Sequence, residues 1–269
     1  MAGQRIKHSD TETYLVNFLA GASGSFIVTM IYYLLTSAKY ETMFSENASA
    51  YHALTEANLN ATGIDPTDSY IPKYVAVEPV YWHMKPVKLD EPYILMDHLY
   101  PKWEDLFELL PLTKNVIITV DADDADLLMG NLFYKTFVDN HTSKFWSELW
   151  KTWKNNFAYF REYDSAILVP REVITEHILA STSNYQNNLK NEPYLNGSYI
   201  PEEYSERVFT ISIKEIMNDP NKVLSILSTV TGKEVNDNIK QSYTNYLLKQ
   251  KAFMQEKMPW LVEKYCINI

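Results

Sequence analysis

The first third of the chain is organised around a stretch with no charge. From Tyr14 to Leu35 every charged side chain is absent, and on length alone such a run is enough to cross a bilayer. Its polar positions are not scattered, however. Gly21-Ala-Ser-Gly-Ser25 gathers them into one cluster of turn-forming residues. A short apolar run before the cluster, residues 14–20, reads as a buried parallel strand, and residues 25–39, apolar on all sides, as a buried helix. Two buried elements explain the missing charge better than a membrane anchor, which would carry Asn17 and the Gly-Ser cluster at its centre.

The pattern then changes. Residues 40–72 are polar and contain the turn cluster "ATGIDPTDSYIP". "KYVAVEPVYW", residues 73–82, is rich in strand formers, but Pro79 restricts it to an edge or a bent strand. Residues 93–96 form a second short apolar run, and "NVIITV", residues 115–120, is the clearest buried strand. Residues 123–137 read as a helix with acids in its first turn, where they complement the helix dipole. "SKFWSELWKTWKNNFAYF" continues as one long aromatic amphipathic helix, residues 171–180 as another, and 181–201 as an Asn/Tyr-rich loop. "RVFTISI", residues 207–213, is a strand; "DPNKVLSILSTVTGK" is a helix stopped at Gly232; residues 235–254 form the last helix. Strands alternating with helices predict a three-layer α/β domain with a central parallel sheet of about five strands. The 269 residues fit a single domain, with 40–92 and 138–205 as insertions or elements on an acceptor side.

Charge and composition narrow the functions. A net charge of −10 excludes general nucleic-acid binding, which needs a basic surface. The lone Cys266 excludes an internal disulfide and favours a reducing, cytoplasmic setting. The first residues do not read as a signal peptide, because Asp10 and Glu12 separate the basic residues from the apolar run. His8, His52, His83, His141 and His177 show no metal-ligand spacing, and no metal is expected.

The candidate chemistry starts at the cluster. A strand, a Gly-Ser turn and a helix together offer inward amides and the positive end of a helix dipole to an anion. The nucleotide-triphosphate fingerprint is incomplete, since Gly24-Ser25 stands where Gly-Lys-Ser/Thr is required. Ser23-Gly24-Ser25 resembles instead the phosphosulfate loop of the sulfotransferase family. So does "ILMDHLYPKWEDLFELLPLTKNVIITV", whose His98-Leu-Tyr-Pro is similar to the family's His-Leu-Pro, and so does "FTISIKEIMNDPNKVLSILSTVTGK". The resemblance covers about half of the chain and extends to the sulfotransferase-like proteins of cyanobacterial viruses. It implies a P-loop-type fold and transfer of a sulfuryl group from PAPS to a hydroxyl of a small-molecule or glycan acceptor. If the source is viral, the setting is the host cytoplasm. It implies further that His98 is the general base and that Ala22, Ser23, Gly24, Ser25 and Phe26 hold the donor. Asn131 and Lys135 would replace the family's contacts to the 3′-phosphate, leaving PAP as the product.

This sequence departs from the family twice. Ala22 takes the place of a basic residue in the loop, and Asp121 stands where an Arg belongs. Two other readings therefore stay open. "IITVDAD" ends a strand in Asp-x-Asp, the way metal-dependent nucleotide-sugar glycosyltransferases hold Mn²⁺ or Mg²⁺, here with Asp121 and Asp123. The other is a non-catalytic binding protein on the sulfotransferase fold.

Overall fold

The computed structural model describes residues 12–19, 21–36, 93–97, 107, 112–139, 144–191 and 200–267. Four strands, all parallel, form one small open sheet in the order β2-β1-β3-β4: β1 (Thr13–Phe18), β2 (Tyr93–Asp97), β3 (Thr113–Thr119) and β4 (Val208–Ser212). The register sets Leu15 beside Leu95 and Asn115, and Asn115 beside Val208. Alternation along β1 sends Tyr14, Val16 and Phe18 into the main core. Thr13, Leu15 and Asn17, on the other face, are buried as well. Burial on both faces is normal for parallel strands and accounts for the unbroken apolar reading of β1.

Helices make up most of the rest. Helix α1 (Gly24–Thr36) packs on β1 and β2. It has no acid in its first turn and no base in its last, so burial holds it in place. Phe26, Ile27 and Ile31 are almost fully enclosed, each contributing about 1.5–3 kcal/mol on leaving water. At 13 residues it spans about 20 Å, short of the ~30 Å bilayer core. Among the described residues no helix is long and apolar enough to cross a membrane.

After β3 a short 3-10 turn (Ala122–Asp124) leads into α2 (Ala125–Asp139), followed by α3 (Lys144–Asn156) and α4 (Arg171–Asn191). Helix α2 packs against α3, α4 and, later in the chain, α7. These helices are built largely on one another. The chain after β4 is punctuated by caps. The Ser212 hydroxyl accepts from the Glu215 amide at 3.1 Å and the Glu215 carboxylate accepts from the Ser212 amide at 2.8 Å, which ends the strand and starts α5 (Ile213–Asn218). Asp219 caps α6 (Pro220–Thr231), Gly232 in the left-handed region stops it, and Asn236 caps α7 (Asp237–Lys257). Pro259 then opens the short α8 (Pro259–Lys264).

This architecture corrects the expected fold class. In place of a three-layer P-loop-type fold around about five strands, the described residues form a small open sheet of four strands in a helix-dominated body. The reason lies in α2, α3 and α4, which find their apolar partners in other helices and leave the sheet small. Local boundaries shift too. The aromatic helix ends at Asn156, where Phe157 turns extended and a 3-10 turn follows. Helix α4 runs to Asn191 through the expected loop. All of 40–92, the segment 73–82 included, lies outside the described residues.

Candidate functional site

Neighbouring strands β1 and β3 leave the sheet in opposite directions, β1 toward β2 and β3 toward β4. In open α/β sheets the crevice beyond the carboxyl ends of such a strand pair is where ligands settle. Here that position belongs to the turn after β1 and the turn after β3.

The turn after β1 is the expected Gly-Ser cluster. Gly21 sits at φ 94°, and a Cβ there would come within 2.8 Å of the Leu128 carbonyl oxygen on α2. Ser23, fully buried, holds φ 63°, a left-handed conformation that costs a non-glycine residue free energy. A Cβ on Gly24 would lie 2.0 Å from the Phe18 ring, so only glycine lets α1 begin this close to β1. The Ala22 amide is spent on the Leu19 carbonyl at 2.9 Å, and the Ser23 carbonyl accepts from Phe26 and Ile27.

Helix α7 closes over this turn. The Tyr246 hydroxyl donates to Ser23 Oγ at 3.1 Å. Its ring stacks on Phe26 at 3.8 Å and 7°, while Tyr243 meets Phe26 edge-on. One helical turn along α7, buried Gln250 donates through Nε2 to Asn131 Oδ1 on α2. Asn131 Nδ2 and Gln250 Oε1 are buried with no hydrogen-bond partner, and each such orphan costs about 1–3 kcal/mol. Thus Ser23 and Asn131, distant in sequence, meet one stripe of α7. Ser25 and Lys135 lie on α1 and α2; Ala22, Gly24 and Phe26 are buried around Ser23. His98 lies outside the described residues. Tyr246 and Gln250 were not expected from the sequence. Their only signal is a three- and four-residue spacing of Tyr243, Tyr246 and Gln250 along one helix face.

The turn after β3 carries the acids. Asp121 and Asp123 are exposed, whereas Asp124 and Asp126 are buried. Lys264 reaches Asp126 Oδ2 at 2.6 Å, and the Tyr265 hydroxyl donates to Asp126 Oδ1. Lys264 and Tyr265 both donate as well to the Asp123 carbonyl. Burial raises the Asp124 carboxyl above the usual range, against the pull of Lys214. These acids therefore pin the C-terminal segment. Among the described residues no group of three or more His, Cys, Asp or Glu side chains could hold a metal ion. That overturns the glycosyltransferase reading on Asp121 and Asp123.

From the aromatic stretch that follows, Trp150, Trp153 and Phe160 supply core. They are buried with Phe133 around His177 of α4. His177 Nδ1 lies 2.7 Å from the Tyr159 hydroxyl, and burial pushes the imidazole down to about 4.

Compared with family models, curated proteins and solved structures, the chain matches none. The sulfotransferase resemblance is corrected accordingly. It rests on short motifs, while the small sheet in a helix-dominated body does not reproduce the fold those motifs imply. The implied sulfuryl transfer, the non-catalytic descendant on that fold and the viral source fall with it.

Proposed function

We propose that this chain is a small-molecule-binding protein that receives an anionic group of its ligand at the turn after β1. One observation carries the reading: a buried non-glycine residue, Ser23 at φ 63°, starts a 13-residue helix that has no acid in its first turn. A turn that only connects a strand to a helix has no need of a strained serine, since glycine fits the left-handed region without cost. The position beyond paired strand ends and the amide end of the helix dipole both suit an anion. The Tyr246 hydroxyl, 3.1 Å from Ser23 Oγ, occupies the place of a ligand oxygen and must swing aside on binding. Asn131, with its unpartnered Nδ2, is the nearby donor on α2.

Calorimetric titration with PAP, ATP and inorganic phosphate tests this, because the three present a phosphate on different carriers. At least one is expected to bind saturably and to weaken about tenfold or more in Ser23→Ala and Asn131→Leu. Heats no larger than those of matched chloride for all three, in a folded protein, would leave the turn a packing feature only.

A further inference from the structure

A second candidate site lies away from the sheet. Helices α4 and α8 face each other across an open groove of about 710 Å³, a size typical of binding clefts. One wall is a single stripe of α4 containing Glu172, Glu176 and Leu179, at four- and three-residue spacing; the other is Pro259 and Trp260 of α8. Leu179 is 54% exposed, a large aliphatic side chain left to water on a helix whose Ile174 and Ile178 are fully buried. Ile167 and Leu168, just before α4 in the chain, are exposed at 56% and 60%.

Charge decides what fits. Arg171 at the groove is tied to Glu172 at 2.8 Å. Glu176 is exposed and makes no ion pair among the described residues. The groove thus joins an apolar floor and an indole with an uncompensated carboxylate, on a chain of net charge −10. An indole beside a carboxylate attracts a cation attached to an apolar body. A second copy of this acidic chain would bring like charge against it.

We infer that the α4–α8 groove docks a basic amphipathic helix of a partner protein, with its apolar residues on Leu179 and Trp260 and a Lys or Arg on Glu176. The mode is a helix laid in a groove by its apolar face. This inference does not depend on the anion site.

The test uses the full chain and two labelled synthetic helices of about 18 residues, one patterned with Leu and Lys, the other with Leu and Glu at the same positions. Fluorescence anisotropy is expected to show saturable binding of the Leu/Lys helix and at least about tenfold weaker binding of the Leu/Glu helix. The surface variants Leu179→Asp and Glu176→Lys are each expected to weaken it about fivefold or more. Leu248→Asp, which alters an exposed leucine on α7, is expected to leave it unchanged. Equal binding to all the variants would show diffuse charge attraction and overturn the inference. So would absence of binding, equal binding of the acidic helix, or a dimer that Leu179→Asp dissociates.

Discussion

The two turns that leave the central strands solve one problem by opposite means. Each starts a helix at the same edge of the sheet. The turn after β1 contains no charge: it is held by left-handed backbone at Gly21 and Ser23, by the Phe18 ring against Gly24, and by a tyrosine hydroxyl. The turn after β3 is made of acids, and it is held by Lys264, Tyr265 and the dipole of the helix it begins. Packing fixes the first turn and electrostatics the second, so different perturbations should break them.

Bulk should break the first. Gly24→Ala places a methyl 2.0 Å from a buried ring, and overpacking of this kind is expected to cost about 3 kcal/mol. An ordinary helix-start glycine would gain up to about 1 kcal/mol from the same change. Urea denaturation distinguishes the two by sign.

Acid should loosen the helices behind the second. Helix α4 packs on the 3-10 turn after β3, and its His177 is held down at about 4, below its ordinary 6.5. A histidine with a lowered folded value binds its proton more readily when unfolded. Its contribution is therefore complete above pH 6.5 and is lost as pH falls toward 4, by about 2–3 kcal/mol in all. Denaturation midpoints measured across that range should fall steeply in the parent and less in His177→Gln. Equal slopes would mean that the imidazole is not held neutral by its aromatic surroundings.

The smallest effect is expected at the clamp itself. Tyr265→Phe removes the hydroxyl that donates to Asp126 and to the Asp123 carbonyl. Asp126 keeps Lys264, so the loss should be about 1–2 kcal/mol, with no effect on ligand binding at the first turn. A loss of ligand affinity in Tyr265→Phe would show that the two turns are not independent.

What the sequence made legible follows from what is local. Strands β1, β2, β3 and β4 were readable from short apolar runs. Helix α6 was readable from Asp219, Pro220 and Gly232, because a cap acts within three residues of itself. The length of α4 was not, since an Asn-rich stretch has weak helix propensity. Ile174 and Ile178 anchor it in the core, and the Thr182 hydroxyl donates back to the Ile178 carbonyl. The layering failed for a related reason: an apolar stripe on a helix does not reveal whether it will face a sheet or another helix. At the candidate site Ser23 and Asn131 carried a local signature, whereas Tyr246 meets Ser23 across 223 residues of sequence. Short motifs resembling a family likewise could not fix the layers around them.

The most direct test of the central claim follows the backbone amides of Gly24 and Ser25 by ¹⁵N NMR during titration with inorganic phosphate and PAP. The account predicts saturable downfield shifts at those two amides, with simultaneous change at the Tyr246 ring, and none with chloride at equal ionic strength. Shifts that match the chloride control at Gly24 and Ser25, in a protein that remains folded, would contradict it.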